Sequence, residues 1–200
     1  MAALRVITDR ISYLPASDSP LSADVGVVRG EACTWIYDTG SSGEAAQMIE
    51  EIRGEKRIVL SHFHADHAGN IGRVSFAALY GGAFTVNKLG VGEAVTAPIY
   101  FADGVTLFPI PSTHAKGALG LETEGFAFVG DATYPMQRDG RAAYNAGLLR
   151  ETIRTLEKLD ARRLLLSHDP LFARPKDEIL DELKRIYAQR KPNEAYIFLS

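Results

Sequence analysis

Each of the chain's five histidines stands a few residues behind a short apolar run of β type, and this recurrence constrains the fold more than any other feature. Ile58-Val59-Leu60-Ser61 leads into His62-Phe63-His64-Ala65-Asp66-His67. Leu107-Phe108-Pro109-Ile110 precedes His114, and Leu164-Leu165-Leu166-Ser167 precedes His168. Phe126-Ala127-Phe128-Val129-Gly130 leads to Asp131 in the same way. Short runs of this kind read as buried strands. The polar groups are then expected at strand ends, where loops project side chains from a rigid frame.

The first half reads as mainly β, with runs at 4–11, 24–28 and 32–37, the last ending at the turn Asp38-Thr39-Gly40. A helix is expected after Ser42, with Ala46, Ile49 and Ile52 at helical spacing and Gly54 as its stop. From Val74 to Ile110 the pattern is again β-type with scarce helices, and Lys88 to Thr96 is expected as a glycine-bearing loop. Leu119–Thr123 and Phe126–Val129 read as a hairpin joined by Glu124-Gly125. Leu149, Ile153, Leu156 and Leu159 share one helical face, and Pro175 at a first helical position opens a final helix through Ile179, Leu183 and Ile186. Both halves repeat a plan of strands, helix, short apolar strand and histidine. Strands accompanied by one-faced helices imply sheets covered by helices, a layered α/β architecture in a single domain spanning 1–200.

Composition excludes several classes. Lys plus Arg total 22 against 25 for Asp plus Glu, a formal charge of −3, which gives no electrostatic footprint for nucleic acid or anionic lipid. The longest mostly apolar stretch, Val74 to Val86, falls short of the ~20 residues that span a bilayer, and the first residues lack a secretory apolar region, so a cytoplasmic location is expected. Cys33 is the only cysteine, which removes intramolecular disulfides and zinc sites built on two thiolates. A transition metal would rest on imidazole and carboxylate.

Residues 62–67 pack three imidazoles and a carboxylate into six positions. His62 and His64 fall on the same side of an extended segment and can share one ion, while Asp66 and His67 come after a bend and can turn to a second. Such density favours a metal or catalytic site over unrelated histidines.

His62-x-His64-x-Asp66-His67 resembles the H-x-H-x-D-H signature of the metallo-β-lactamase-fold hydrolase superfamily. The rest of that family's set follows in its usual order: His114, Gly130-Asp131 and Ser167-His168, with Asp38-Thr39-Gly40 similar to its early D-x-G turn. The similarity runs from about residue 5 to residue 172. It implies an αββα sandwich, two mixed sheets flanked by helices, with a binuclear site on one edge. Metal 1 would take His62, His64 and His114, and metal 2 would take Asp66, His67 and His168. Asp131 would bridge both, leaving room for a hydroxide nucleophile. Zn is the first choice for the two divalent ions, with Mn or Fe also compatible with these ligands.

Departures from the family narrow the choice. Where the cysteine-ligand lactamases carry a thiolate, this chain has Asp131. Only about thirty residues follow His168, too few for a glutathione-binding domain. Ala65 and the intact histidine cluster differ from the flavodiiron pattern. Asp131-Ala132-Thr133-Tyr134 resembles the D-A-S-Y stretch of acyl-homoserine lactonases, which would make Tyr134 a catalytic hydroxyl beside Asp66 and Asp131, although Pro135 departs from that pattern and a packed aromatic is equally compatible. Lys116 stands within reach of a substrate carboxylate or is an ordinary exposed loop lysine, and Phe63, Tyr100 and Met136 either line the pocket or pack. The expected function is hydrolysis of an ester, thioester or lactone carbonyl in a small molecule, without nucleic acid or membrane. The alternatives are a phosphodiesterase using the same two metals and a metal-binding protein without useful turnover.

Overall fold

The computed structural model describes residues 4–199, and in it the apolar runs pair into two sheets packed face to face. The seven-stranded sheet runs Arg5–Val6, Ile11–Leu14, Val25–Arg29, Thr34–Tyr37, Lys56–Leu60, Ala78–Gly82, Glu93–Val95. It is antiparallel through Thr34–Tyr37 and parallel from there on. The six-stranded sheet runs Ile99–Tyr100, Thr106–Ile110, Ala118–Thr123, Phe126–Gly130, Arg163–Leu166, Ala173–Pro175. Only Phe126–Gly130 and Arg163–Leu166 pair parallel there.

Strand periodicity explains the layers. Trp35, Tyr37, Val59, Phe128 and Leu165 point between the sheets and form the central core. Their neighbours point outward: Ile36, Ile58 and Leu60 meet α1 (Gly43–Glu51), whereas Ala127, Val129, Leu164 and Leu166 meet α4 (Ala146–Glu157) and α5 (Lys176–Ala188). The architecture is the αββα sandwich. Two shorter helices, α2 (Ala65–Ala68) and α3 (Ala83–Leu89), follow strands of the first sheet. A small sheet of Met136–Arg138, Arg141–Asn145 and Tyr196–Phe198 lies outside the main pair.

The helix starts follow local chemistry. The Ala45 amide donates to Ser42 Oγ at 3.1 Å, and the Leu148 amide donates to Asn145 Oδ1 at 3.0 Å, so each cap satisfies a first-turn donor. Pro175 stands one position before its helix instead of inside it. The expected hairpin forms between Ala118–Thr123 and Phe126–Gly130.

The β reading of 74–110 needs correction at Ala83–Leu89, which is helical. A Cβ on Gly82 would lie 2.3 Å from the Gly117 carbonyl oxygen, and Thr85 Oγ1 donates to that same oxygen at 2.8 Å. Tertiary contact overrides the β preference of Phe84, Thr85 and Val86, and Gly90, at φ 71°, ends the helix. The expected loop over 88–96 likewise contains the strand Glu93–Val95.

Cys33 is buried at the start of the strand whose far end carries Asp38. There Trp35 Nε1 donates to Asp103 Oδ2 at 3.1 Å, and Cys33 Sγ lies 3.5 Å from the same oxygen. Among the described residues, no helix is long and apolar enough to cross a membrane.

Candidate metal centre

Five strand ends converge on one edge of the sandwich. Asp38 follows Thr34–Tyr37 with φ 61°, a left-handed conformation that Asp tolerates better than most residues. Its Oδ1 accepts from the Ser61 amide at 2.7 Å, and its Oδ2 lies 2.8 Å from His67 Nδ1. Ser61 Oγ stands 2.9 Å from His62 Nδ1 and 3.1 Å from His67 Nδ1. The chain then turns into α2, placing Asp66 and His67 in its first turn. His114 is held from its own loop and from the loop that follows Phe126–Gly130. Its amide donates to Ser112 Oγ at 3.1 Å, and its Nδ1 faces the Pro135 carbonyl at 3.3 Å.

On the other half of the edge, Gly130 adopts φ 54° before Asp131, and a Cβ there would sit 2.6 Å from Ser61 Cβ. The approach of Asp131 to the histidines therefore depends on that glycine. His168 has φ 60°, and its amide donates to Asp24 Oδ2 at 2.9 Å.

The inward-facing atoms fall into three overlapping groups: His62, His64 and His114; His62, His67 and Asp131; Asp66, His67 and His168. Within each group the donor atoms lie within 4.8 Å of one another. Asp131 Oδ2 is 3.3 Å from His67 Nε2 and 3.4 Å from His114 Nε2, so one carboxylate reaches both ends of the cluster. His168 Nε2 is 3.1 Å from Asp66 Oδ2. The structure thus brings together all seven residues that the sequence marks as ligands.

Charge is distributed unevenly. Burial and the surrounding imidazoles push His62 far below the ordinary imidazole range, and burial with His114 lowers His64. Burial opposes charge on His67 too, but the Asp38 and Asp131 carboxylates raise it to about 10. Partial burial works against the Asp66 carboxylate, yet His168 and His67 hold it down to about 2. The hydrogen bond to Asp66 raises His168.

The donor set fits a divalent cation. His62 Nε2 and His64 Nδ1 face one another at 2.8 Å with no acceptor oxygen between them. Buried His114 Nε2 and Asp131 Oδ1 have no hydrogen-bond partner. Buried polar atoms are nearly always satisfied, and convergent orphaned lone pairs suit a bound ion. The outer nitrogens of His62, His67 and His114 are meanwhile engaged by Ser61, Asp38 and Pro135, which turns their Nε2 atoms inward.

A family model described as the metallo-β-lactamase superfamily matches residues 18–79, a span that contains Asp38 and the 62–67 cluster. The solved structure of the DIM-1 metallo-β-lactamase superposes with a TM-score of 0.70 and 16% identity, over 93% of this chain and 96% of that one. The chain has the metallo-β-lactamase fold. A B3 metallo-β-lactamase with an active-site glutamic acid gives a TM-score of 0.69 at 13% identity, over 94% of this chain and 89% of that one. A mutant flavo-di-iron protein from Thermotoga maritima gives 0.67 at 13% identity, over 96% of this chain and 64% of that one. No curated protein matches the chain by sequence. The superfamily resemblance carried by the sequence motifs is borne out, and the subclass is left open.

Within this metallo-β-lactamase fold, Tyr134, which the sequence leaves as either a catalytic hydroxyl or a packed aromatic, is tied to the turn before His168. Its hydroxyl donates to the Ser167 carbonyl oxygen at 2.7 Å, and its ring borders a small cavity with Tyr144, Arg174 and Glu182. The phenol braces the turn that carries His168, and burial raises it above the ordinary phenol range. Three supporting groups escaped the motif reading: Asp24, Ser61 and Ser112. Ser61 left a signal, because Ser precedes His at both 61–62 and 167–168. Asp24 left none, since its partner stands 144 residues away.

Proposed function

We propose that the chain is a binuclear metal-dependent hydrolase acting on an ester, thioester or lactone carbonyl of a small molecule, with zinc the first choice of metal. The observation that carries this reading is the overlap of the three donor groups through His62 and His67, with Asp131 Oδ2 reaching from His67 to His114 and with Asp131 Oδ1 and His114 Nε2 buried and unsatisfied. His62 and His64 with His114 would hold one ion, and Asp66 and His67 with His168 the other. Two bound cations would polarise the carbonyl and bring the pKa of water toward neutrality.

The chain's own contribution is orientation and charge. Asp38, fully buried, presents an acceptor to His67 Nδ1 and fixes which nitrogen faces inward. The same carboxylate ties the Ser61 amide, so one residue registers both halves of the 61–67 segment. Asp66, held ionised by His168, and Asp131 supply the negative charge that offsets two cations at short range.

The test combines metal content with a substrate panel. Protein reconstituted with zinc should bind two ions per chain and hydrolyse at least one of a lactone, an aryl ester and a thioester. A preference for a phosphodiester would assign the centre to phosphate chemistry. Two tightly bound ions without turnover of any panel member would make it a binding protein.

A further inference from the structure

On the side of the centre formed by His64 and His114, two aromatic rings and a cation continue outward from the imidazoles. The Phe63 ring meets His64 edge-on at 4.9 Å between centroids and meets Phe84 at 5.4 Å. Phe84, in the first turn of α3, keeps 41% of its surface exposed. Lys116 sets its ammonium 5.8 Å from the centre of the Phe84 ring.

Neither phenylalanine belongs to any of the three hydrophobic cores, so this apolar surface is not consumed by packing of the fold. An exposed aromatic face beside a cluster of polar groups has the composition of a ligand wall. Lys116 is exposed, and among the described residues no carboxylate forms an ion pair with it. The aromatic face holds the ammonium in place without neutralising it, because a ring quadrupole attracts a cation but supplies no proton acceptor. Lys116 is also only two residues from His114, so their Cα atoms stand no more than about 7 Å apart. A molecule whose carbonyl sits at the His62, His64 and His114 group can therefore present an anionic group to Lys116.

We propose that Phe63, Phe84 and Lys116 form the acyl-recognition wall of this centre, selecting carbonyl substrates whose acyl part is apolar next to the carbonyl and anionic at its far end. This inference rests on the hydrolase reading and adds a substrate class to it. Phe63 and Phe84 cover the apolar part, and Lys116 pairs with the terminal anion in a partly screened ion pair.

The experiment uses the zinc-loaded full chain and two 4-nitrophenyl esters of equal shape, those of 4-carboxyphenylacetic acid and of its neutral 4-carbamoyl isostere. The wild type should favour the carboxylate ester by about fivefold in kcat/KM, expressed through KM, with the preference falling as salt rises. Lys116→Met should bring the ratio between the esters close to one, and Lys116→Arg should restore it. Phe84→Ala should weaken both esters and, by removing the ring beside the Lys116 ammonium, also reduce the preference for the carboxylate ester. An unchanged ratio in Lys116→Met would overturn the proposal. Calorimetric binding of the corresponding unreactive acetamides separates the two layers of inference. A charge preference in binding that Lys116→Met removes, without turnover of either ester or of the lactone and thioester, keeps the wall and rejects the hydrolase. No charge preference in wild-type binding or turnover rejects the wall.

Discussion

The two βαβ crossovers of the molecule share a plan and differ in how they hold their histidines. In the first, Thr34–Tyr37 connects through α1 to the parallel strand Lys56–Leu60 and ends in Ser61-His62. In the second, Phe126–Gly130 connects through α4 to the parallel strand Arg163–Leu166 and ends in Ser167-His168. The first half then adds α2 and gathers four candidate ligands within six residues, backed by the fully buried side chain of Asp38. The second crossover contributes Asp131 and a single histidine, His114 coming from the loop after the earlier strand Thr106–Ile110; that histidine, His168, is fixed by its backbone amide to Asp24 and left with 26% of its side chain exposed. One half orients imidazoles through their rings; the other orients a turn and lets the ring follow. The centre should therefore be stiffer toward its first-half ligands and looser at His168.

The largest effect should come from the residue that serves both halves. Asp131→Ala should remove metal from the whole centre and lower kcat/KM by roughly 10²–10³ or more, as measured by elemental analysis beside steady-state kinetics. Full occupancy in that variant would show that the halves hold their ions independently.

Next are the two backing carboxylates. Asp38→Asn keeps a residue type that accepts φ 61° while weakening the acceptor at His67 Nδ1, and it should reduce metal affinity about 10–100-fold. Asp24→Asn should cost about fivefold, because it touches His168 only through the main chain. Competition with a chromophoric chelator ranks the two, and equal losses would erase the proposed difference in stiffness.

A smaller effect concerns pH. His67 is raised from 6.5 to about 10, so in metal-free protein its pairing with Asp38 and Asp131 stabilises fully below about pH 6.5 and is lost as pH rises through about 10. The Tm of metal-free protein should fall across that window. The loaded protein should be flatter, since a ligating imidazole is already neutral. Parallel curves would mean that His67 carries no extra proton.

The smallest effect should be Tyr134→Phe. Losing the bond to Ser167 removes about 1 kcal/mol, a Tm shift of about 2–4 °C for a chain of this size, together with slight loosening of the His168 side. A hundredfold loss of kcat with Tm unchanged would instead restore the hydroxyl to the chemistry.

What the sequence made legible was the part governed by short-range patterns. The apolar runs 58–60, 126–129 and 164–166 were readable as buried strands, and the Ser42 cap announced α1. The ligand cluster was legible because its density is local. α3 was hidden because the run Phe84-Thr85-Val86 has strand chemistry, and only the contact with Gly117 makes it helical. Asp24 and the destination of the Tyr134 hydroxyl depend on segments brought together across the chain, which periodicity does not encode.

Cys33 adds an experimental convenience. It is the chain's only thiol, buried beside Asp103 and raised by burial to about 11, at the strand end remote from the histidines. A thiol-reactive dye at neutral pH should find it silent while the sandwich is closed and reactive once the strands separate. The molecule thus carries its own unfolding reporter, which distinguishes a variant that has merely released its ions from one that has come apart.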